Sequence, residues 1–135
     1  MLGEMLGETQ GKITGNRVLP SEGPTPKIES SYQGSGRILG VEVTDMGTFW
    51  SIFRKEGVLY GEGQGVVMTR DGEMATWKGQ GLGRIKGRST AVSWRGSVLF
   101  QTSSQRLARL GSVAVNFEFE VDEDGNTYVK IWEWL

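Results

Sequence analysis

Any chemistry this chain performs has to come from carboxylates, lysines, tyrosines or backbone groups, because its 135 residues include neither cysteine nor histidine. That removes disulfides, thiolate nucleophiles, Ser-His-Asp triads and ordinary zinc sites. Among the carboxylates, strand phase singles out Glu62. It sits in YGEGQG (60–65), where glycine recurs at every second position, and two is the period of a β-strand. If Asp71-Gly72 is a two-residue hairpin loop, counting back sets Tyr60 opposite Gly83, Glu62 opposite Gly81, Gln64 opposite Gly79 and Val66 opposite Trp77. Glu62 and Gln64 then share a face with Tyr60, Val66, Met68 and Trp77. A carboxylate buried there must be paired, hydrogen-bonded or protonated with a raised pKa, which is how general acids and bases are made. The plainer reading is a barrel-end Glu satisfied by backbone, water or Arg.

Glu133 is the second candidate. A three-residue loop at Glu123-Asp124-Gly125 pairs Asp122 with Asn126, Glu118 with Lys130 and Val115 with Glu133, carrying Glu133 inward with Val115, Phe117, Phe119, Val129 and Ile131. Two inward carboxylates form a candidate pair for proton transfer. The same register turns Tyr128, Trp132 and Trp134 outward, an aromatic patch that fits a homo-oligomer interface. With a two-residue loop instead, both tryptophans become core and Glu133 lies outside.

Other spacings carry less. DEDGNTYVKIWE (122–133) imitates part of a calcium loop, but position six is Thr127 where a glycine is needed, and a hairpin turn is the simpler reading. Arg84, Lys86 and Arg88 alternate along one face and read as a solvated strand edge. No phosphate-binding glycine motif occurs, and no cofactor or metal is expected.

The elements that must position these residues are strands. From Lys27 the pattern runs at about 27–39, 41–53, 58–69, 74–86, 91–101, 113–121 and 127–134, punctuated by KEG, RDGE, KGRS and DEDGN. With a first strand at 9–19 this makes about eight, the first and second separated by PSEGPTP (20–26), which holds all three prolines. Residues 1–8, containing a doubled MLGE, read as a flexible start to a single barrel domain at 9–135. Only SSQRLARLG (103–111) is helix-like, giving one short helix at 103–110. No helices alternate with the strands, so parallel α/β folds are excluded. The expected fold class is all-β, a single antiparallel barrel of about eight strands, since closure leaves no bare edges. A Gly87-Arg88 loop sets Trp94 opposite Gly81 and Val98 opposite Trp77, and places Trp77, Trp94, Val98 and Phe100 inside.

The 21 glycines, well over the usual share of about 7%, are a cost: roughly 0.5–1 kcal/mol for each one inside a strand. Sharp curvature or an enclosed space must offset it. Fifteen basic and sixteen acidic residues give a net charge of −1, so no field favours nucleic acid or an acidic membrane surface. No apolar run has the length of a membrane span and no secretory signal pattern opens the chain, which makes the cytosol the default compartment.

The segment WRGSVLFQTSSQRLARLGSVAVNFEFEVDEDGN with IWEW (94–134) resembles a family of small uncharacterised prokaryotic proteins that are, as a group, similar to the allene oxide cyclase and dirigent barrels. The resemblance implies an eight-stranded antiparallel barrel that commonly forms oligomers, and it favours an apolar ligand. No catalytic position of allene oxide cyclase maps onto this chain. The leading expectation is therefore a barrel that binds a small, largely apolar molecule, lined by Tyr60, Trp77, Trp94, Phe100, Phe117 and Phe119 and polarised by Glu62 and Gln64. The alternatives are a cofactor-free isomerase or cyclase using Glu62, with Glu133, for proton transfer, and an oligomeric structural barrel whose interior is full.

Overall fold

The computed structural model describes residues 1–135 as a closed antiparallel barrel. Its strands are β1 (Leu2–Leu19), β2 (Lys27–Ile38), β3 (Val41–Lys55), β4 (Val58–Thr69), β5 (Met74–Ile85), β6 (Val92–Thr102), β7 (Val115–Val121) and β8 (Asn126–Trp134). Each strand pairs with its sequence neighbours, and β1 closes the ring by pairing with both β2 and β8. The only helical element is a 3-10 turn at Ala108–Ser112. The helix expected at 103–110 is thus shorter and displaced: Ser104 is buried and donates to Glu73, and Leu107 and Leu110 are pulled fully into the barrel. No helix is long and apolar enough to cross a membrane.

The amino terminus also departs from expectation. Residues 2–8 belong to β1, where Leu6 is buried and the Leu39 N–H donates to the Leu6 carbonyl at 2.8 Å. Packing and ladder hydrogen bonds order a segment whose repeated MLGE carries no strong strand pattern.

Loop length decides which residues face inward. Between β4 and β5 the loop is Arg70-Asp71-Gly72, three residues long, with Gly72 at φ 89°. Thr69 holds it: its N–H donates to the Glu73 carbonyl at 2.8 Å, its hydroxyl donates to Asp71 at 2.6 Å and accepts from the Glu73 N–H at 3.0 Å. One residue more than the expected two-residue loop slips the register by one and turns β4 over. Tyr60 therefore pairs with Leu82, Glu62 with Gln80 and Gln64 with Lys78 on the outside, while Leu59, Gly61, Gly63, Gly65 and Val67 face in. The β5–β6 connection is longer by two, with Lys86 N–H donating to the Ala91 carbonyl at 3.0 Å. A slip of two preserves the faces: Trp94 stays inside, opposite Gly83 instead of Gly81, and Trp77 meets Phe100. At β7–β8 the three-residue loop is as expected, with Val115 opposite Glu133 and Glu118 opposite Lys130. Its turn is fixed by Asp122, which accepts from the N–H groups of Asp124 and Asn126, each at 2.9 Å.

The inward glycines now have a reason. Large rings lie flat on pairs of them in adjacent strands. A Cβ on Gly83 or Gly61 would sit 2.9 Å from the Trp94 indole, and one on Gly65 or Gly47 would sit 2.5 or 2.6 Å from that of Trp77. These are rings covering glycines on the same face. The offset expected of an enclosed space is supplied largely by the indoles that fill it.

Candidate functional site

The interior divides into two apolar clusters. One surrounds Ile38, Val67, Val98, Phe100, Leu107, Leu110 and Ile131, and the 3-10 turn plugs that end of the barrel. The other is built on Tyr32, Leu59, Trp94 and Phe119. Where they meet lies a cavity of about 90 Å³. Its wall includes Tyr32, Phe49, Trp77, Trp94, Phe100, Phe117 and Phe119, with the glycines of β4 and β5 between them.

Asp45 reaches this cavity from the middle of β3. At 5% exposure it is the one charged residue among the buried side chains. Its neighbours on that face are Val43, Gly47 and Phe49, and across the ladder it stands between Gly34 and Val67. Three donors converge on it from three other strands. Tyr32 Oη donates to Oδ2 at 3.2 Å, Thr9 Oγ1 to Oδ2 at 3.4 Å and Trp77 Nε1 to Oδ1 at 3.3 Å. All three are long beside the 2.7–2.9 Å usual for donors to an ionised group, and no lysine or arginine pairs with it. Burial pushes the Asp45 carboxyl up from 3.8 to about 6, against the pull of the Trp77, Tyr32 and Thr9 hydrogen bonds. Burial, followed by the Asp45 charge and hydrogen bond, holds the Tyr32 hydroxyl well above its ordinary value, so it stays a neutral donor.

Of the residues expected at the site, Trp77, Trp94, Phe100, Phe117 and Phe119 line the cavity. Tyr60, Glu62 and Gln64 do not point into it, for the register reason given above. Glu62 borders the cavity only as a link in the wall between Gly61 and Gly63; its exposed carboxylate accepts from the Tyr60 hydroxyl at 2.6 Å. Tyr60 instead packs edge-on against Trp50 under the Arg54 guanidinium. Glu133 shares the inward face of β8 but lies at the plugged end, where it accepts from Arg109 at 2.7 Å. Glu62 and Glu133 are therefore not a pair. Asp45 was missed, although VEVTDMGTF (41–49) carries the signal: Asp45 falls in phase with Val41, Val43, Gly47 and Phe49. On β8, Tyr128 and Trp134 are exposed and Trp132 is half-buried, beside Leu2 and Met5 of β1.

A closed eight-stranded antiparallel barrel with one buried acid among aromatic rings is the class that fold and site define. No family model and no curated protein matches the chain. Among solved structures it is similar to a conserved protein of unknown function from Rhodopseudomonas palustris, with a TM-score of 0.81 and 12% identity over 100% of this chain and 99% of the other. A beta-barrel like protein from Acinetobacter baumannii gives a TM-score of 0.80 and 12% identity over 98% and 94%. An enzyme from Penicillium herquei gives a TM-score of 0.65 and 17% identity over 96% and 92%. At these identities the likeness extends to the barrel alone.

Proposed function

We propose that the chain is a small-molecule-binding barrel, and that its ligand is a compact, largely apolar molecule whose one polar group meets Asp45. The observation that carries this reading is the cavity itself: aromatic and aliphatic walls with a single buried carboxylate whose three donors are all loosely engaged. Ligand sites are typically of this kind, apolar surfaces with a few convergent polar groups. The resemblance to allene oxide cyclase and dirigent barrels supports it from a separate direction. The inward carboxylate of this reading is Asp45, in place of Glu62. The test is a thermal-shift screen of small metabolites and solvents on the native protein and on Asp45→Asn. A ligand binding only the folded state raises the melting temperature by mass action. Stabilisation by at least one compound, lost or reversed in rank in Asp45→Asn, is the expected result; a panel that shifts neither protein sinks the reading in favour of a filled barrel.

A second reading, proton-transfer catalysis by a cofactor-free isomerase or cyclase, is favoured by one feature. Burial raises Asp45 to about 6 beside Tyr32, which is held protonated, and such a pair supplies a base and a hydrogen-bond donor to one substrate. Turnover would then rise with pH through about 6 and vanish in Asp45→Asn.

We also infer self-association through the apolar strip of Tyr128, Trp132 and Trp134 with Leu2 and Met5. Light scattering on the native protein and on Trp134→Ser tests it; a monomer in both removes the idea.

A further inference from the structure

The charge inside the barrel says more about its occupant than the shape does. Asp45 is ionised at neutral pH by its position near 6, yet the ten ion pairs of the protein all lie elsewhere. The side chains that converge on it are neutral: Thr9 from β1, Tyr32 from β2 and Trp77 from β5, with Gly65 and Val67 of β4 alongside. Tyr32 is the one other titratable group that faces it. A buried anion without a countercharge is costly and such groups are as a rule paired, so a cationic partner would need room beside Asp45. The room is present, since Asp45 and all three donors line the same cavity.

We propose that the occupant is a small organic ammonium ion, its charge set against the Asp45 carboxylate and its alkyl groups against the rings of Tyr32, Phe49, Trp77 and Phe119. The proposal rests on the binding reading above and names the ligand class for that site. Two competing classes are excluded, and the rings favour the remaining one. A negative ligand would meet Asp45 with no cation to offset it. A bare metal ion seeks several hard oxygen ligands, and here the inward-facing side-chain oxygens are those of Asp45, Tyr32 and Thr9; Glu8, Glu62 and Gln80 also border the cavity but are exposed residues of the outer face. Aromatic faces attract alkylammonium ions through their quadrupoles, more strongly where water is excluded. The cavity volume of about 90 Å³ is below that of an engineered cavity of about 150 Å³ that admits benzene, which favours a branched amine of a few carbons.

The Trp77 indole N–H, hydrogen-bonded to Asp45 Oδ1 at 3.3 Å, is a built-in reporter. Its 1H–15N resonance is followed while 15N-labelled protein is titrated at pH 7.5 with isopropylammonium chloride, with 2-propanol, a neutral molecule of matched size, and with sodium chloride at equal ionic strength. The expected result is a saturable shift with isopropylammonium, binding weaker by about tenfold or more for 2-propanol, and no saturable shift with sodium chloride. Repeating the ammonium titration at pH 5, below the Asp45 pKa of about 6, should weaken it about tenfold; this arm needs no variant. In Asp45→Asn the preference for the cation should disappear. Equal binding of alcohol and ammonium, or an ammonium affinity that does not change between pH 5 and 7.5, overturns the proposal and leaves the binding reading standing. If none of these molecules shifts the indole, this ligand class is overturned, and the broader screen with Asp45→Asn decides the binding reading on its own.

Discussion

The indole of Trp77, on β5, donates to the carboxylate of Asp45, on β3, by crossing the strand between them. β4 lets it pass because position 65 is glycine. Gly65 is the direct cross-strand partner of both Trp77 and Gly47, and Tyr32 in turn pairs with Gly47. The row therefore reads ring, glycine, glycine, ring, with Tyr32 and Trp77 both reaching over the bare backbone to one acid. A Cβ at position 65 would lie 2.5 Å from the Trp77 ring and would also crowd the Met46 carbonyl. Gly65→Ala should destabilise the protein by about 1–3 kcal/mol through overpacking, measured by urea unfolding, and should move the Trp77 indole resonance out of its hydrogen-bonded position. An alanine that costs nothing and leaves the indole unmoved would show that the ring is not held where it is described.

Asp45 is a liability to stability at neutral pH. Its folded-state pKa, about 6, lies above the ordinary 3.8, so the stability linked to it is fully present below about pH 4 and is lost as pH rises through 6. The shift corresponds to about 3 kcal/mol at 1.36 kcal/mol per unit. Asp45→Asn keeps the acceptor for Trp77 and removes the charge. It should be more stable than the native protein at pH 7.5, by up to about 3 kcal/mol, with the gain shrinking toward pH 4. Glu120 runs the other way: burial raises it, but hydrogen bonds from Arg95, Lys86 and Ser93 outweigh that and bring it down to about 2. Comparing native and variant at each pH cancels that background. Paired denaturant titrations at the two pH values read the difference directly, and a variant less stable than the native protein at pH 7.5 contradicts the assignment.

Glu62 supplies the contrast. It lies on the outer face of β4 and accepts from an exposed Tyr60 hydroxyl. Glu62→Gln should change stability by no more than about 0.5 kcal/mol and leave any ligand response of the interior intact. A loss of ligand binding in this variant, with Asp45→Asn unaffected, would return the site to the outer surface.

These two acids also mark what sequence reading reaches. Strand number, antiparallel order and barrel closure follow from period-two patterning and turn residues; at the last hairpin the sequence leaves a three- and a two-residue loop open, and Asp122, accepting from the Asp124 and Asn126 N–H groups, selects the first. In the middle hairpin Asp71-Gly72 fits both a two- and a three-residue loop. The choice is made by Thr69, whose hydroxyl bonds Asp71 and the Glu73 N–H, and such local side-chain bonding leaves no periodic trace. One residue of loop then moved Glu62 from inside to outside. The rings at 77 and 94 face inward all the same, because their hairpin differs by two residues from the expected one and keeps its faces. Asp45 was within reach, since its phase with Val43 and Phe49 needs no loop assumption at all; polar residues at a core phase are the ones to ask about first.

The plugged end of the barrel carries the remaining prediction, because it separates packing from charge at neighbouring positions. Leu107 and Leu110 are completely buried in the larger apolar cluster, and between them in sequence Arg109 reaches outward to Glu4 and Glu133 at 3.2 and 2.7 Å. The arginine is 39% exposed and Glu4 is 67% exposed, so solvent screens the pair and Arg109→Ala should cost far less than loss of a buried leucine. Removing the leucine side chain leaves a void that the closed ring of strands is poorly placed to collapse, and Leu107→Ala should cost about 2–5 kcal/mol. Denaturant midpoints for Leu107→Ala and Arg109→Ala give the comparison. If the order were reversed, the ion pairs to Glu4 and Glu133, and not the two leucines, would be what closes this end of the barrel.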